Sequence, residues 1–231
     1  MSGYASTVIR RADHLAVVCE TETLTYAELD QRAARLARAL SSAGAREGDP
    51  VAIMLPNCIE YIECLAACAK LRCPPLTVNW HLRPDELSWV LGDSGTRVLV
   101  AHSELRPVIE SALTDPALPP DLPVLWVGED YEAALEGAGD EPMPYAWPTS
   151  WPLIYTSGTS GRPKGVVHGP TASPEMMAMA QDALASMWGY RPDDVHLVAG
   201  PLDHAAPVGY ANTTLYVGGT VVLMEGWDPV E

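Results

Sequence analysis

Phenylalanine is absent from this chain of 231 residues, and lysine occurs only at Lys70 and Lys164. The missing phenylalanine excludes nothing by itself, because Trp, Tyr and Met can fill the same volumes. The shortage of positive charge excludes more. Fourteen Lys and Arg face 30 Asp and Glu, a net charge of −16. The chain therefore lacks the basic surface through which nucleic acid is usually bound, and attraction to anionic membranes is disfavoured. The 5 cysteines, Cys19, Cys58, Cys64, Cys68 and Cys73, form no C-x-x-C pair, and their odd number argues against a disulfide framework or a common zinc motif. Cys64 and Cys68 are spaced to share one helix face, as small buried hydrophobes do. No apolar run reaches the ~18 residues that a membrane helix requires. The opening MSGYASTVIRRADHL lacks the charged-then-apolar order of a signal peptide, so a cytoplasmic location is expected.

What is present is concentrated between two short apolar runs. Ile154-Tyr155-Thr156-Ser157-Gly158-Thr159-Ser160-Gly161-Arg162-Pro163-Lys164-Gly165-Val166-Val167 reads as a loop held between two strands. Its glycines let the backbone approach a ligand and turn N–H groups inward. The Thr and Ser hydroxyls donate further hydrogen bonds, and Lys164 adds a point charge. That combination suits a polyphosphate. Proline between Arg162 and Lys164 excludes a Walker A loop. No serine here has glycine two residues away on both sides, which excludes a nucleophile elbow. A plain Ser/Thr/Gly connector has the same composition but not this order of residues.

Around the loop, helix and strand signals alternate. Thr25 and Glu28 form a capping-box pattern, Leu29, Ala33, Leu36 and Leu40 follow at helical spacing, and Gly44 ends the helix. A buried strand is predicted over 51–55, a helix over 59–71, and a strand near 76–78 after Pro74 and Pro75. Helices over 84–91 and 105–113 alternate with strands at 97–101 and 124–127. Residues 137–150 read as a Gly- and Pro-rich surface connection. Strands at 153–155 and 166–168 flank the loop. Ser173-Pro174 starts a helix whose Met176, Met177, Ala180, Ala183, Leu184 and Met187 are expected to pack into the core. A strand at 195–198, a helix over 206–216 and a strand at 220–223 follow. Asp228, Pro229 and Glu231 are spaced as a helix start. This alternation predicts an α/β fold, doubly wound, with mostly parallel sheets and flanking helices. The expected organisation is a first α/β lobe over 1–136, the linker at 137–150 and a phosphate-loop lobe over 151–231.

The loop closely resembles the signature phosphate loop of the adenylate-forming (AMP-binding) enzymes over more than ten consecutive positions. Other segments are similar to the same superfamily. They are Leu24-Thr25-Tyr26-Ala27-Glu28-Leu29, Asn79-Trp80-His81-Leu82, Pro84-Asp85-Glu86-Leu87, Gly200-Pro201-Leu202-Asp203-His204-Ala205-Ala206-Pro207, and the glycine-led strand from Gly218 to Met224. Together they resemble the fatty acyl-CoA synthetase branch.

The resemblance implies a two-step reaction with ATP, Mg2+ and coenzyme A. A carboxylic acid, expected to be a fatty acid, becomes an acyl-adenylate and then a thioester. It implies that Thr156, Ser157, Gly158, Thr159, Ser160, Gly161 and Lys164 grip the leaving phosphates, with Lys164 stabilising their charge. His204 would lie beside the acyl pocket. Asp203 departs from the aromatic residue common at its place, and either changes which acyl chains fit or pairs with His204. His168 and His196 read as structural, and Trp80 and His81 as core. No Tyr-Gly-x-Thr-Glu motif follows, so no metal-binding residue is assigned. The adenine- and ribose-binding segments and the C-terminal domain with its catalytic lysine are missing too. The expectation is an N-terminal fragment, inactive alone, that self-associates or pairs with a missing C-terminal portion. An aryl- or amino-acid-activating enzyme and a non-catalytic interaction or regulatory fragment remain alternatives.

Overall fold

Strands β3 (Val51–Met54) and β5 (Val98–His102) pair in parallel, and the first four residues of each are buried. Side chains alternate between the faces of a strand. Val51, Ile53, Val98 and Val100 accordingly enter one apolar cluster, whereas Ala52, Met54, Leu99 and Ala101 enter another. A sheet buried on both faces needs such uninterrupted apolar strands. The computed structural model describes residues 4–144, 152–156, 163–166 and 173–226.

Within these residues the chain runs through α1 (Tyr4–Arg10), β1 (Leu15–Cys19), β2 (Glu22–Thr25), α2 (Tyr26–Ser42), β3, α3 (Ile59–Leu71), β4 (Pro75–Thr77), α4 (Pro84–Ser94) and β5. A short 3-10 turn then leads into α5 (Arg106–Leu113), β6 (Val124–Val127), α6 (Tyr131–Gly137), β7 (Leu153–Thr156), β8 (Lys164–Val166), α7 (Pro174–Trp188), β9 (Val195–Val198), α8 (Ala205–Val217) and β10 (Thr220–Leu223). One sheet has the order β2-β1-β10-β9 and the other β6-β5-β3-β4-β7-β8. All pairings are parallel except β1 with β2 and β7 with β8. Each sheet takes strands from both sides of residues 137–150. The strands are therefore not divided into the sequential lobes 1–136 and 151–231, because the neighbours of β1 and β4 come from late in the chain.

Helix α2 begins at the expected box. Thr25 N donates to Glu28 Oε2 at 2.8 Å and Glu28 N donates to Thr25 Oγ1 at 3.2 Å. The Thr25 backbone N–H holds the Glu28 carboxyl below its usual range. Leu29, Ala33, Leu36 and Leu40 are buried along one face, and α2 packs on α3. Helix α3 in turn contacts β1, β3 and β4, so it lies between the sheets. Helices α4 and α5 cover the other face of the six-stranded sheet through Leu87, Val90, Leu91, Ile109 and Ala112.

Four expectations need correction. The sequence reading left out α1, β1, β2 and α6, which are short. Helix α6 has no side-chain cap and is fixed by tertiary contacts, because the Tyr131 hydroxyl donates to Glu63 at 2.6 Å and Arg32 binds Glu132 at 2.5 Å. The Met-rich face of α7 is not core. Met177 is buried, but Met176 and Met187 are exposed, as are Met179 and Trp188. Polar side chains dock the helix instead: Thr213 Oγ1 donates to Gln181 at 3.2 Å and the Tyr216 hydroxyl to Asp182 at 2.9 Å. The strand expected at 166–168 starts earlier, at Lys164, and residues 167 and 168 lie outside the described residues. His81 is exposed rather than core, although Trp80 packs partly buried beside it. The helix start at Asp228 lies outside the described residues, as does His168.

The cysteines behave as small hydrophobes. All are free, and all except the half-buried Cys58 are buried. Burial pushes the Cys73 thiol up to about 11 and the Cys19 thiol up to about 12, so neither is a ready thiolate at neutral pH.

Candidate functional site

Open parallel sheets place ligands at the carboxyl ends of their strands. In this chain the carboxyl ends of β4, β7 and β9 converge. Thr77 ends β4 and pairs with Ile154 of β7, two residues before Thr156. Its hydroxyl donates at 3.2 Å to the carbonyl of Asp203, in the segment that follows β9. That hydrogen bond joins the strand beside the loop to the segment carrying His204.

The strands on either side of the loop pair as a hairpin. Thr156 of β7 lies opposite Lys164 of β8, and Tyr155 lies opposite Gly165. Thr156 and Lys164 are both exposed and stand at the mouth of the loop. Ser157, Gly158, Thr159, Ser160 and Gly161 lie outside the described residues. The close approach at Gly165 is structural, because a Cβ there would sit 2.9 Å from the Tyr155 ring. The Tyr155 hydroxyl donates to Asp93 Oδ2 at 2.7 Å, and Trp89 Nε1–H donates to the Pro163 carbonyl at 3.1 Å.

His204 caps α8 through its backbone and exposes its imidazole. Asp203, only 7% exposed, has its carboxyl raised by burial, while His204 and His81 nearby act in the opposite direction. The Tyr61 hydroxyl is fully buried beside Asp203 and Thr77, and burial pushes its pKa well above the usual tyrosine value, so it stays protonated. Burial lowers the pKa of His196, which lies half-buried beside Tyr210. The hairpin and the Asp203–His204 segment are thus brought to one side of the sheets, joined through Thr77.

Sequence reasoning passed over Asn57, which is decisive for this convergence. Its Nδ2 donates to the carbonyls of Gly200 and Met224, each at 3.0 Å, and its Oδ1 accepts from Leu202 N at 2.9 Å. One side chain after β3 thereby fixes the turns after β9 and β10. The signal was available, since Pro56-Asn57 directly follows a fully apolar strand. Replacing Asn57 by alanine is expected to destabilise the fold by about 2–4 kcal/mol, because three backbone groups lose their partner. Urea unfolding measures this, and an unchanged midpoint would refute it.

Comparison with known proteins agrees with this arrangement. The AMP-binding enzyme family matches residues 5–231. The fatty acid–acyl-carrier-protein ligase ScoC of Streptomyces coeruleorubidus is 38% identical over 92% of this chain and 41% of its own length. The feruloyl-CoA synthase of an Amycolatopsis species is 38% identical over 98% of this chain and 45% of its own. Among solved structures, the inhibitor-bound N-terminal domain of FACL13 from Mycobacterium tuberculosis superimposes with a TM-score of 0.83 at 28% identity, covering 99% of this chain and 58% of that one. The chain thus spans less than half the length of these two curated relatives. With the family matched along nearly its whole length, the chain belongs to the AMP-binding enzymes.

Proposed function

We propose that this chain carries the phosphate-gripping part of an ATP-dependent acid–thiol ligase of the acyl-CoA synthetase type. The pairing of Thr156 with Lys164, on either side of the glycine- and hydroxyl-rich segment, carries this reading, because these stems stand where β4, β7 and β9 end. In the reaction a carboxylate oxygen of the acid bonds to the α-phosphorus of ATP, and the bond from that phosphorus to the β-bridging oxygen breaks. Pyrophosphate leaves with the electron pair. A thiolate, with coenzyme A as the proposed donor, then attacks the acyl carbon and AMP leaves. The loop amides and hydroxyls of 156–161 would bind the departing β- and γ-phosphates, and Lys164 would offset the charge that grows on them. This is positioning plus electrostatic stabilisation. His204 would border the acid.

Among the described residues no group of three His, Cys, Asp or Glu side chains could hold a metal ion.

The relatives support two acid classes equally, since one is named for a fatty acid and the other for ferulate at the same identity. Exchange of labelled pyrophosphate into ATP, with panels of fatty and aromatic acids, tests the proposal. Because the chain spans under half of these relatives, no exchange is expected from it alone. Acid-dependent exchange is expected when the downstream half of a longer relative is added. Exchange by the chain alone would overturn the claim that other parts are required. A second reading, an interaction piece without chemistry, rests on the exposed Met176, Met179, Met187, Trp188, Val195 and Leu197. Apolar surface of that kind favours self-association or pairing with a downstream portion. Folded protein that shows no exchange in either case would favour it. No helix among the described residues is long and apolar enough to cross a membrane.

A further inference from the structure

Among the described residues, hairpin β7–β8 stands at the edge of its sheet, with β8 outermost. A two-stranded hairpin is marginal on its own. Its tip can bind a polyphosphate well only if the two stems are already held, because ordering them on binding would cost conformational entropy.

Helix α4 supplies the hold. Trp89 and Asp93 are four residues apart and so share one face of the helix. Asp93 accepts from the Tyr155 hydroxyl at 2.7 Å and so fixes β7. Trp89 Nε1–H donates to the Pro163 carbonyl at 3.1 Å and so fixes the residue before Lys164. The Tyr155 ring lies against Gly165, which joins the two stems to each other. The helix is itself rigid. Leu87, Val90 and Leu91 are buried, Glu86 Oε2 accepts from Arg83 N at 3.0 Å at its start, and Gly95 closes it in a left-handed conformation.

We propose that Trp89 and Asp93 are positioning residues that preset both stems of the phosphate loop from α4. The proposal rests on the polyphosphate reading of that loop, and its structural half can be judged separately. The Pro84–Leu87 segment, which similarity alone associated with the family, gains a physical role as the start of this anchoring helix.

The test uses the whole chain and two measurements. Trp89→Phe keeps an aromatic ring, a smaller one, and removes the donor. Asp93→Ala removes the acceptor, whereas Asp93→Asn keeps one. Amide hydrogen exchange is followed across 153–166 and, for reference, across β3 and β5. The double variant W89F/D93A is expected to exchange faster in the hairpin while β3 and β5 stay as in the parent. D93N is expected to stay near the parent. Titration with inorganic tripolyphosphate is expected to show affinity about threefold to tenfold weaker for each lost hydrogen bond. Unchanged hairpin exchange, or equal acceleration in β3 and β5, would overturn the anchoring role. If the parent chain binds no tripolyphosphate, the polyphosphate reading fails, and the exchange comparison still decides the anchor.

Discussion

Lys164→Ala is expected to weaken binding of inorganic tripolyphosphate at least tenfold. A hydrogen bond to a charged group is worth about 1.5–3 kcal/mol, and an exposed lysine falls toward the low end. No other lysine can substitute. Lys70 is the only other one, and it binds Asp30 at 2.6 Å with its side chain 2% exposed. A net charge of −16 gives no general attraction for an anion, so local charge has to supply it. Isothermal titration at two salt concentrations measures the loss. The gap between parent and variant should narrow at higher salt, as screening weakens an exposed charge. Equal affinity for both proteins would remove Lys164 from the site. Lys164→Arg should recover part of the binding, because it restores charge with a different shape.

The largest stability effect is expected from Arg32→Ala. Glu63 is fully buried on α3, accepting from Arg32 Nε at 2.5 Å and from the Tyr131 hydroxyl at 2.6 Å. Arg32 also reaches Glu132 on α6, so three helices meet at one guanidinium. Breaking a buried pair from one side strands the other charge, at a cost of about 3–5 kcal/mol. The cost should depend on pH. Burial raises the Glu63 carboxyl above its usual 4.5, while Arg32 and Tyr131 pull it down. A carboxyl raised in the folded state contributes stability that is complete below 4.5 and is lost as pH rises through its folded value. Without Arg32 that folded value climbs further. The deficit of the variant should therefore be smaller in acid buffer, where Glu63 is protonated in both proteins, and larger in alkaline buffer. Adding Glu63→Gln should recover much of it, since the stranded charge is then gone. Urea unfolding at both settings checks the sign, and a deficit that does not vary with pH would contradict it.

The sequence disclosed those elements whose signals are local. The capping box at Thr25 and Glu28, the Ser173-Pro174 start and the apolar strands at 51–54 and 98–102 each carry their cause within a few residues. Helix 59–71 and strands 124–127, 195–198 and 220–223 were likewise legible to the residue. What escaped was set by contacts across long stretches of chain. Helix α6 exists where Glu63 and Arg32 hold it, and α7 docks through Gln181 and Asp182 rather than its methionines. For the candidate site, the order of residues 154–167 was informative, but the grip of Trp89 and Asp93 on its stems was not. Nor was the role of Asn57. No periodicity records a hydrogen bond across 143 residues, the separation between Asn57 and Gly200.

The pairing of β1 with β10 sets an order for folding during synthesis. Val17 lies beside Val221, so the four-stranded sheet has no centre until the ribosome has released almost all of the described chain. The core of the other sheet, β6-β5-β3-β4, needs nothing beyond residue 127. Nascent chains should therefore hold an early nucleus around β3 and β5 while β1, paired only with β2, waits for its late neighbour β10. Contacts so distant in sequence slow folding and lengthen the time such segments stay open to wrong partners. Strand β1 is thus slower to find its place than β3 and β5, and chaperone contact during translation should concentrate there.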